Sequence, residues 1–184
     1  MNLPKYTKEI FERLSKGNFI CENSPDSSEK RLFEICDNNV EILESYFEPI
    51  GFELKYGSGF FYFSKELQET QIENKLDNLL HFIDYIEMFL QFDEYFNVGW
   101  RGSPVSLAEA TTDNVVIKER IEKIRGLSGN NLFKKCEDIF VKMRKDGYMA
   151  LENEYDKRYV VLTSYEYLVD FFKNVKEVEY NEPA

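Results

Sequence analysis

Residues 37–64 hold the pattern that most restricts what this chain can become. From Asp37 to Glu48 the apolar residues Val40, Ile42, Leu43, Tyr46 and Phe47 recur at helical spacing, and Pro49 with Gly51 stops the run. Asp37 is placed to cap this helix through its side chain. Phe52-Glu53-Leu54-Lys55-Tyr56 and Phe60-Phe61-Tyr62-Phe63 then flank Gly57-Ser58-Gly59, the signature of a tight β-hairpin. The second strand is apolar on both faces, so one face must pack on helices and the other must meet a second surface, from this chain or a partner.

Two further helices precede this unit. Pro4 to Lys16 places Tyr6, Ile10, Phe11 and Leu14 on one stripe and ends at Gly17. A β-like segment, Asn18 to Glu22, and a loop, Asn23 to Ser27, lead to a second helix over about 28–36, with Leu32, Phe33 and Ile35 inward. Helices followed by a hairpin form the winged-helix order, in which the helix before the hairpin ordinarily enters the DNA major groove. Here that helix carries Asp37, Glu41, Glu44 and Glu48 with no Lys or Arg. A phosphate backbone would repel it, so Glu41, Glu44 and Glu48 are candidates for an acidic face that meets a basic partner, against the plainer reading of a solvated surface.

Residues 67–92 read as the longest helix. Ile72, Leu76, Leu79, Leu80, Ile83, Ile86 and Leu90 trace an expected core stripe, and Phe82, Tyr85, Phe89 and Phe92 a second, aromatic one. Such breadth suggests a central helix packed on two sides, spanning 67–100 between two subdomains. After the break at 97–104 the pattern recurs. A short helix starts near Val105, others cover about 113–125 and 130–146, a hairpin pairs 148–152 with 159–162, and a last helix runs from Ser164 to about Val175. The expected fold is therefore α+β, mostly helical, with winged-helix domains at 1–66 and 101–184 whose wings are β-hairpins.

Composition narrows the function. With 43% hydrophobic residues, 16 Phe and 12 Tyr among 184 residues, the chain can build a substantial core. The net charge of −11 opposes non-specific attraction to nucleic acid or an anionic membrane. The charge is uneven: residues 101–145 hold ten Lys/Arg against six Asp/Glu, a local +4 that leaves −15 elsewhere. Any DNA phosphate contact is therefore sought at Lys118, Arg120, Lys123, Arg125, Lys134, Lys135, Lys142, Arg144 and Lys145, although neighbouring acids there also suit surface pairing. Cys21, Cys36 and Cys136 show no CxxC or Cys/His spacing and read as reduced, core-filling thiols. No signal peptide or membrane span is expected, nor a membrane partner.

His81 stands alone among helical carboxylates and makes no metal set. Carboxylate pairs such as Glu41/Glu44 and Asp93/Glu94 lack a companion nucleophile, and there is no G-x-S-x-G. The expectation is a non-enzyme with no cofactor and no metal.

Phe11-Glu12-Arg13-Leu14-Ser15-Lys16-Gly17-Asn18-Phe19-Ile20-Cys21, then Tyr46-Phe47-Glu48-Pro49-Ile50-Gly51-Phe52-Glu53-Leu54 and Gly59-Phe60-Phe61-Tyr62-Phe63, resemble the MksE family. These are small tandem winged-helix subunits of bacterial MukBEF-like condensins, related to MukE and to the corresponding Wadjet subunit. The motifs cover roughly the first third of the chain, and the remainder matches in element order, length and acidity. The resemblance implies a homodimer that binds an MksF-like kleisin and, through it, an MksB-like SMC ATPase. It further implies a cytoplasmic, nucleoid-associated role in chromosome organisation and segregation, or in plasmid restriction. The absence of G-x-x-x-x-G-K-[ST] agrees with ATP chemistry residing in the SMC partner. Candidate dimer or partner contacts are Tyr46, Phe47, Phe60, Phe61, Phe63, Phe82, Tyr85 and Phe89, with core packing as the alternative. The rival reading is a winged-helix transcriptional regulator that binds DNA through its basic C-terminal half.

Overall fold

A computed structural model describes residues 3–64 and 69–181. The chain is α+β and mostly helical, and it divides into two compact units: Met1–Lys65 with Thr163–Ala184, and Glu66–Leu162.

The first unit opens with α1 (Thr7–Leu14) rather than at Pro4, because Tyr6 takes the left-handed conformation at φ 70, which ends helical continuity there. Strand β1 (Ile20–Cys21) follows, then α2 (Ser27–Asn38), whose first turn is capped by the Asp26 carboxylate accepting from the Ser28 N–H at 2.8 Å. Asp37 does not cap the next helix, as the sequence suggested. It lies inside α2, and Asn39 makes the break with its amide turned back to donate to the Ile35 carbonyl at 2.8 Å. Helix α3 (Val40–Phe47) tightens into a 3-10 turn (Glu48–Ile50) and stops at Gly51, φ 83. Strands β2 (Glu53–Gly57) and β3 (Phe60–Ser64) form the hairpin. At its tip Gly59 sits at φ +81, and a Cβ there would come within 2.5 Å of the Glu22 side chain.

The sheet order is β1-β3-β2, all antiparallel, with Ile20 opposite Phe61 and Leu54 opposite Phe63. That register turns Ile20, Leu54 and Phe61 onto Ile10, Leu14, Leu32, Cys36, Leu43 and Phe47, the core of this unit. On α3 Leu43 and Phe47 are buried over the sheet, whereas Ile42 and Tyr46 are exposed.

Helix α8 (Tyr165–Asn181) is the largest departure from the expected chain division. It belongs to the first unit. The Thr163 N–H donates to Asn23 Oδ1 at 2.9 Å, the Thr163 hydroxyl donates to the Gly59 carbonyl at 2.6 Å, and the Tyr167 ring packs on Phe19 and Tyr62.

The second unit starts with α4 (Glu69–Phe92), followed by β4 (Arg101–Gly102), α5 (Pro104–Asp113), α6 (Val115–Lys123), α7 (Leu132–Lys145), β5 (Met149–Asn153) and β6 (Arg158–Val161). Each of the three shorter helices has its own cap. A reciprocal Ser103/Ser106 box starts α5, and Asn114 and Asn131 accept backbone N–H groups at the starts of α6 and α7. The sheet order β4-β6-β5 repeats that of the first unit. Helix α4 lies within this unit and begins it, with its buried face against the α7–β5 region: Phe82 meets Tyr148 at 5.0 Å and Phe89 meets Phe140 at 5.2 Å. The aromatic stripe is core at Phe82, Tyr85 and Phe89, whereas of the aliphatic stripe Leu79 is buried but Leu76, Leu80 and Leu90 are exposed. The expected helix start at 67 lies outside the described residues, as does the side chain of Ile72.

Candidate functional site

Two surfaces follow from this arrangement, one acidic on the first unit and one basic on the second. The acidic surface is built by α3, its 3-10 extension and β2. Because Leu43 and Phe47 turn inward, residues one position away project to solvent: Glu41 and Glu48 are exposed and Glu44 is half-buried. No described Lys or Arg reaches ion-pair distance of these three carboxylates, although elsewhere on the surface ion pairs such as Arg101–Glu152 and Arg120–Glu87 form readily. Among them stand exposed apolar side chains at positions 42, 46 and 50, Ile42, Tyr46 and Ile50. Their spacing of four residues puts them on one side of the helix.

Beside this helix runs an open groove of about 620 Å³ lined by Glu44, Glu48, Glu53, Leu54, Lys55 and Tyr56. Its second wall is β2, the edge strand of the sheet. Leu54 turns into the core, so Glu53 and Lys55 share the opposite face, where the ammonium donates to Glu53 Oε1 at 2.5 Å. That bond holds Lys55 above the ordinary lysine range, with the Glu44 charge adding to it. Glu53, Lys55 and Tyr56 were not singled out from sequence. The visible signal was the Glu-x-Lys alternation of a strand whose far edge is unpaired.

The aromatic candidates divide by burial. Phe47, Phe60 and Phe61 are buried within the first unit, Phe47 between Phe11 and Phe63, and Phe60 against Phe19. Phe82, Tyr85 and Phe89 are buried within the second. Desolvation raises the Tyr85 hydroxyl to about 12. A side chain in these positions stabilises its own unit and offers no area to a partner. Tyr46 is exposed and Phe63 half-buried, so only these two of the eight present surface.

The basic candidates are dispersed over α6, the following turn and α7. Arg120 pairs with Glu87, Lys123 with Glu119 and Lys134 with Glu137, while the Lys142 ammonium donates to the Gly126 carbonyl at 2.6 Å. Arg144 lies beside the Tyr159 side chain, whose hydroxyl burial raises and the Arg144 charge partly lowers. Among the described residues, Lys118, Arg125, Lys135 and Lys145 find no such partner. Arg125, Lys142 and Lys145 share an open pocket of about 360 Å³ with His81 and Asp146 over the Phe82 and Tyr85 rings. His81 thus joins the cations, a placement that its isolated position in sequence did not signal. Desolvation holds the Asp146 carboxyl above its ordinary range although Lys145 and Lys142 pull it down. Among the described residues no group of three or more His, Cys, Asp or Glu is gathered as a metal site would require.

The model for the condensin complex protein MksE matches residues 5–172. The chain belongs to the MksE family. No curated protein matches it. Family membership makes this MksE-family chain a condensin complex protein, with its partners inside an SMC-type complex. Among the described residues, no helix is long and apolar enough to cross a membrane.

Proposed function

We propose that this chain is a non-enzymatic accessory subunit of a bacterial MukBEF/MksBEF-like SMC condensin, a homodimer that binds the kleisin and through it the SMC ATPase. Its role is to shape that complex around DNA during chromosome organisation and segregation, or during plasmid restriction. The observation that carries this reading is the family match over residues 5–172. It is supported by the twice-used order of helix, short strand, helices and hairpin, with the same sheet order in both units. We read each unit as a winged helix, the first completed by α8. In the first unit the helix before the hairpin is acidic, and the net charge of −11 repels duplex DNA, so this subunit holds DNA only weakly or within the assembly.

The test is light scattering of the purified chain, alone and with duplex DNA at low salt, followed by co-purification with the kleisin and the ATPase. The expected result is a dimer that ignores free duplex and retains the kleisin. A monomer that forms a salt-sensitive DNA complex by itself would replace this reading with a DNA-binding regulator.

A further inference from the structure

The groove between α3 and β2 has a property that neither wall has alone. Strand β2 bonds to β3 on one side only. In an antiparallel pair alternate residues turn both their N–H and C=O away from the partner. The outward groups of Glu53–Gly57 therefore face the groove, and no backbone bond from another described segment meets them. An exposed row of this kind is a template for one more strand, and native proteins usually blunt it with Lys or Pro or cover it. Here Lys55 is the sole cation on β2, and it is drawn onto Glu53.

The second wall decides what that strand would carry. Glu44 on α3 and Glu48 at the start of its 3-10 extension are four residues apart, both line the groove, and neither has an ion pair among the described residues. Three carboxylates against one ammonium leave the groove at about −2, by a simple count of ionised side chains at neutral pH. A segment lying along β2 presents alternate side chains to the α3 side. Positive charges in those positions would reach Glu44 and Glu48, with their stems over Tyr56, which is 63% exposed.

We propose that the α3–β2 groove binds an extended basic segment of a partner protein, which adds as a strand to β2 and places alternate Lys or Arg side chains against Glu44 and Glu48. Backbone bonds to β2 supply affinity independent of sequence, and the two glutamates select for positive charge. The inference rests on the reading of this chain as a protein-binding subunit, and names the chemistry of what this face accepts.

The experiment uses the full chain, isotope-labelled, titrated with a hexapeptide alternating Lys and Val, capped at both ends. The expected result is saturable binding with new hydrogen-exchange protection of amides within Glu53–Gly57. Affinity should fall by more than about tenfold, or about 1.4 kcal/mol, in E44Q/E48Q. It should also vanish for one of two peptides N-methylated at odd or at even positions, and for the peptide alternating Glu and Val. Absence of binding overturns the proposal. So does binding indifferent to both methylation patterns and matched by a helical Lys/Leu peptide, which would mean a helix on the Ile42–Tyr46–Ile50 side or plain charge attraction. Co-purification separates this inference from the reading beneath it. A chain that binds the peptide but never retains the kleisin or ATPase leaves the groove and removes the condensin role. A chain that retains both equally well as E44Q/E48Q, while ignoring the peptide, removes the groove and leaves the role.

Discussion

Glu29 is a carboxylate closed inside the first unit, 5% exposed, where it gathers the start of α2, the end of β1 and the turn between them. It accepts from the Cys21 N–H at 3.2 Å and the Ser24 hydroxyl at 3.0 Å, and it pairs with Arg13 at 2.5 Å. Burial raises its carboxyl above the ordinary glutamate range, and the Arg13 charge and these two bonds only partly offset that. In the window between about 4.3, the unfolded glutamate value, and the higher folded value, the native state holds the extra proton. Stability from this group therefore falls as pH rises through that window and stays at the lower level above it. The expected outcome for Glu29→Gln is a flatter stability curve over the same interval, measured by urea unfolding at closely spaced pH values. Parallel curves for the two proteins would show that Glu29 stays charged throughout and that Arg13 outweighs burial. The three thiols obey the same rule more simply. All are fully buried, and desolvation pushes Cys36 to about 12 and Cys136 to about 11, so they fill the core as sequence reading expected of them.

At the scale of elements, local pattern carried most of the fold. The α3 stop at Gly51, the hairpin about Gly57-Ser58-Gly59, the α7 span and the second hairpin were all readable, because each is set by turn residues and spacing inside a few residues. What failed was every choice that depends on a neighbour. Helix α4 is apolar over so wide an arc that its sequence could not say which stripe meets α7, and the bulkier aromatic one does. On α3 the same ambiguity left Tyr46 and Phe47 both open as partner contact or core, and only Tyr46 is exposed. Strand β4 is two residues, Arg101–Gly102, and carries no apolar signal at all. The groove was half legible: the acids of α3 were singled out, but that β2 would stand beside them is a tertiary fact. The hairpin aromatics follow the same logic, and they separate a core role from a surface role. Phe61→Ala removes a ring that is 2% exposed and lies 5.3 Å from Phe33, and is expected to cost about 3–5 kcal/mol. Tyr46→Ala, at an exposed site, is expected to stay within about 0.5 kcal/mol. Denaturant unfolding of the two variants checks this. A near-neutral Phe61→Ala would mean that the hairpin contributes surface rather than core.

For the whole molecule, the consequence is that the first unit is not continuous in sequence. Its N-terminal portion ends by Ser64, yet its last piece arrives after Leu162. Thr163 ties that piece down by two hydrogen bonds, to Asn23 and to Gly59, and Tyr167 covers Phe19 and Tyr62. A fragment of residues 1–64 loses these partners. The Asn23 side chain and the Gly59 carbonyl can turn to water at little cost, but two aromatic rings are then left bare, and a unit of this length is marginal to begin with. Within residues 69–162 the strands and helices of the second unit pair among themselves. The expected outcome is that a 69–162 fragment unfolds cooperatively, whereas 1–64 alone gives a poorly dispersed amide spectrum that sharpens when a peptide of residues 163–181 is added. Asn23→Ala in the full chain should reproduce part of the defect, at about 1–3 kcal/mol for the acceptor removed from the Thr163 N–H. It should also speed hydrogen exchange in α8 and in β3 together, since Thr163, just before α8, is bonded to Gly59, just before β3, as well as to Asn23. If 1–64 folds as stably alone as it does with the peptide, then α8 rests on the unit without supporting it. The variant's effect would then be confined to α8 itself.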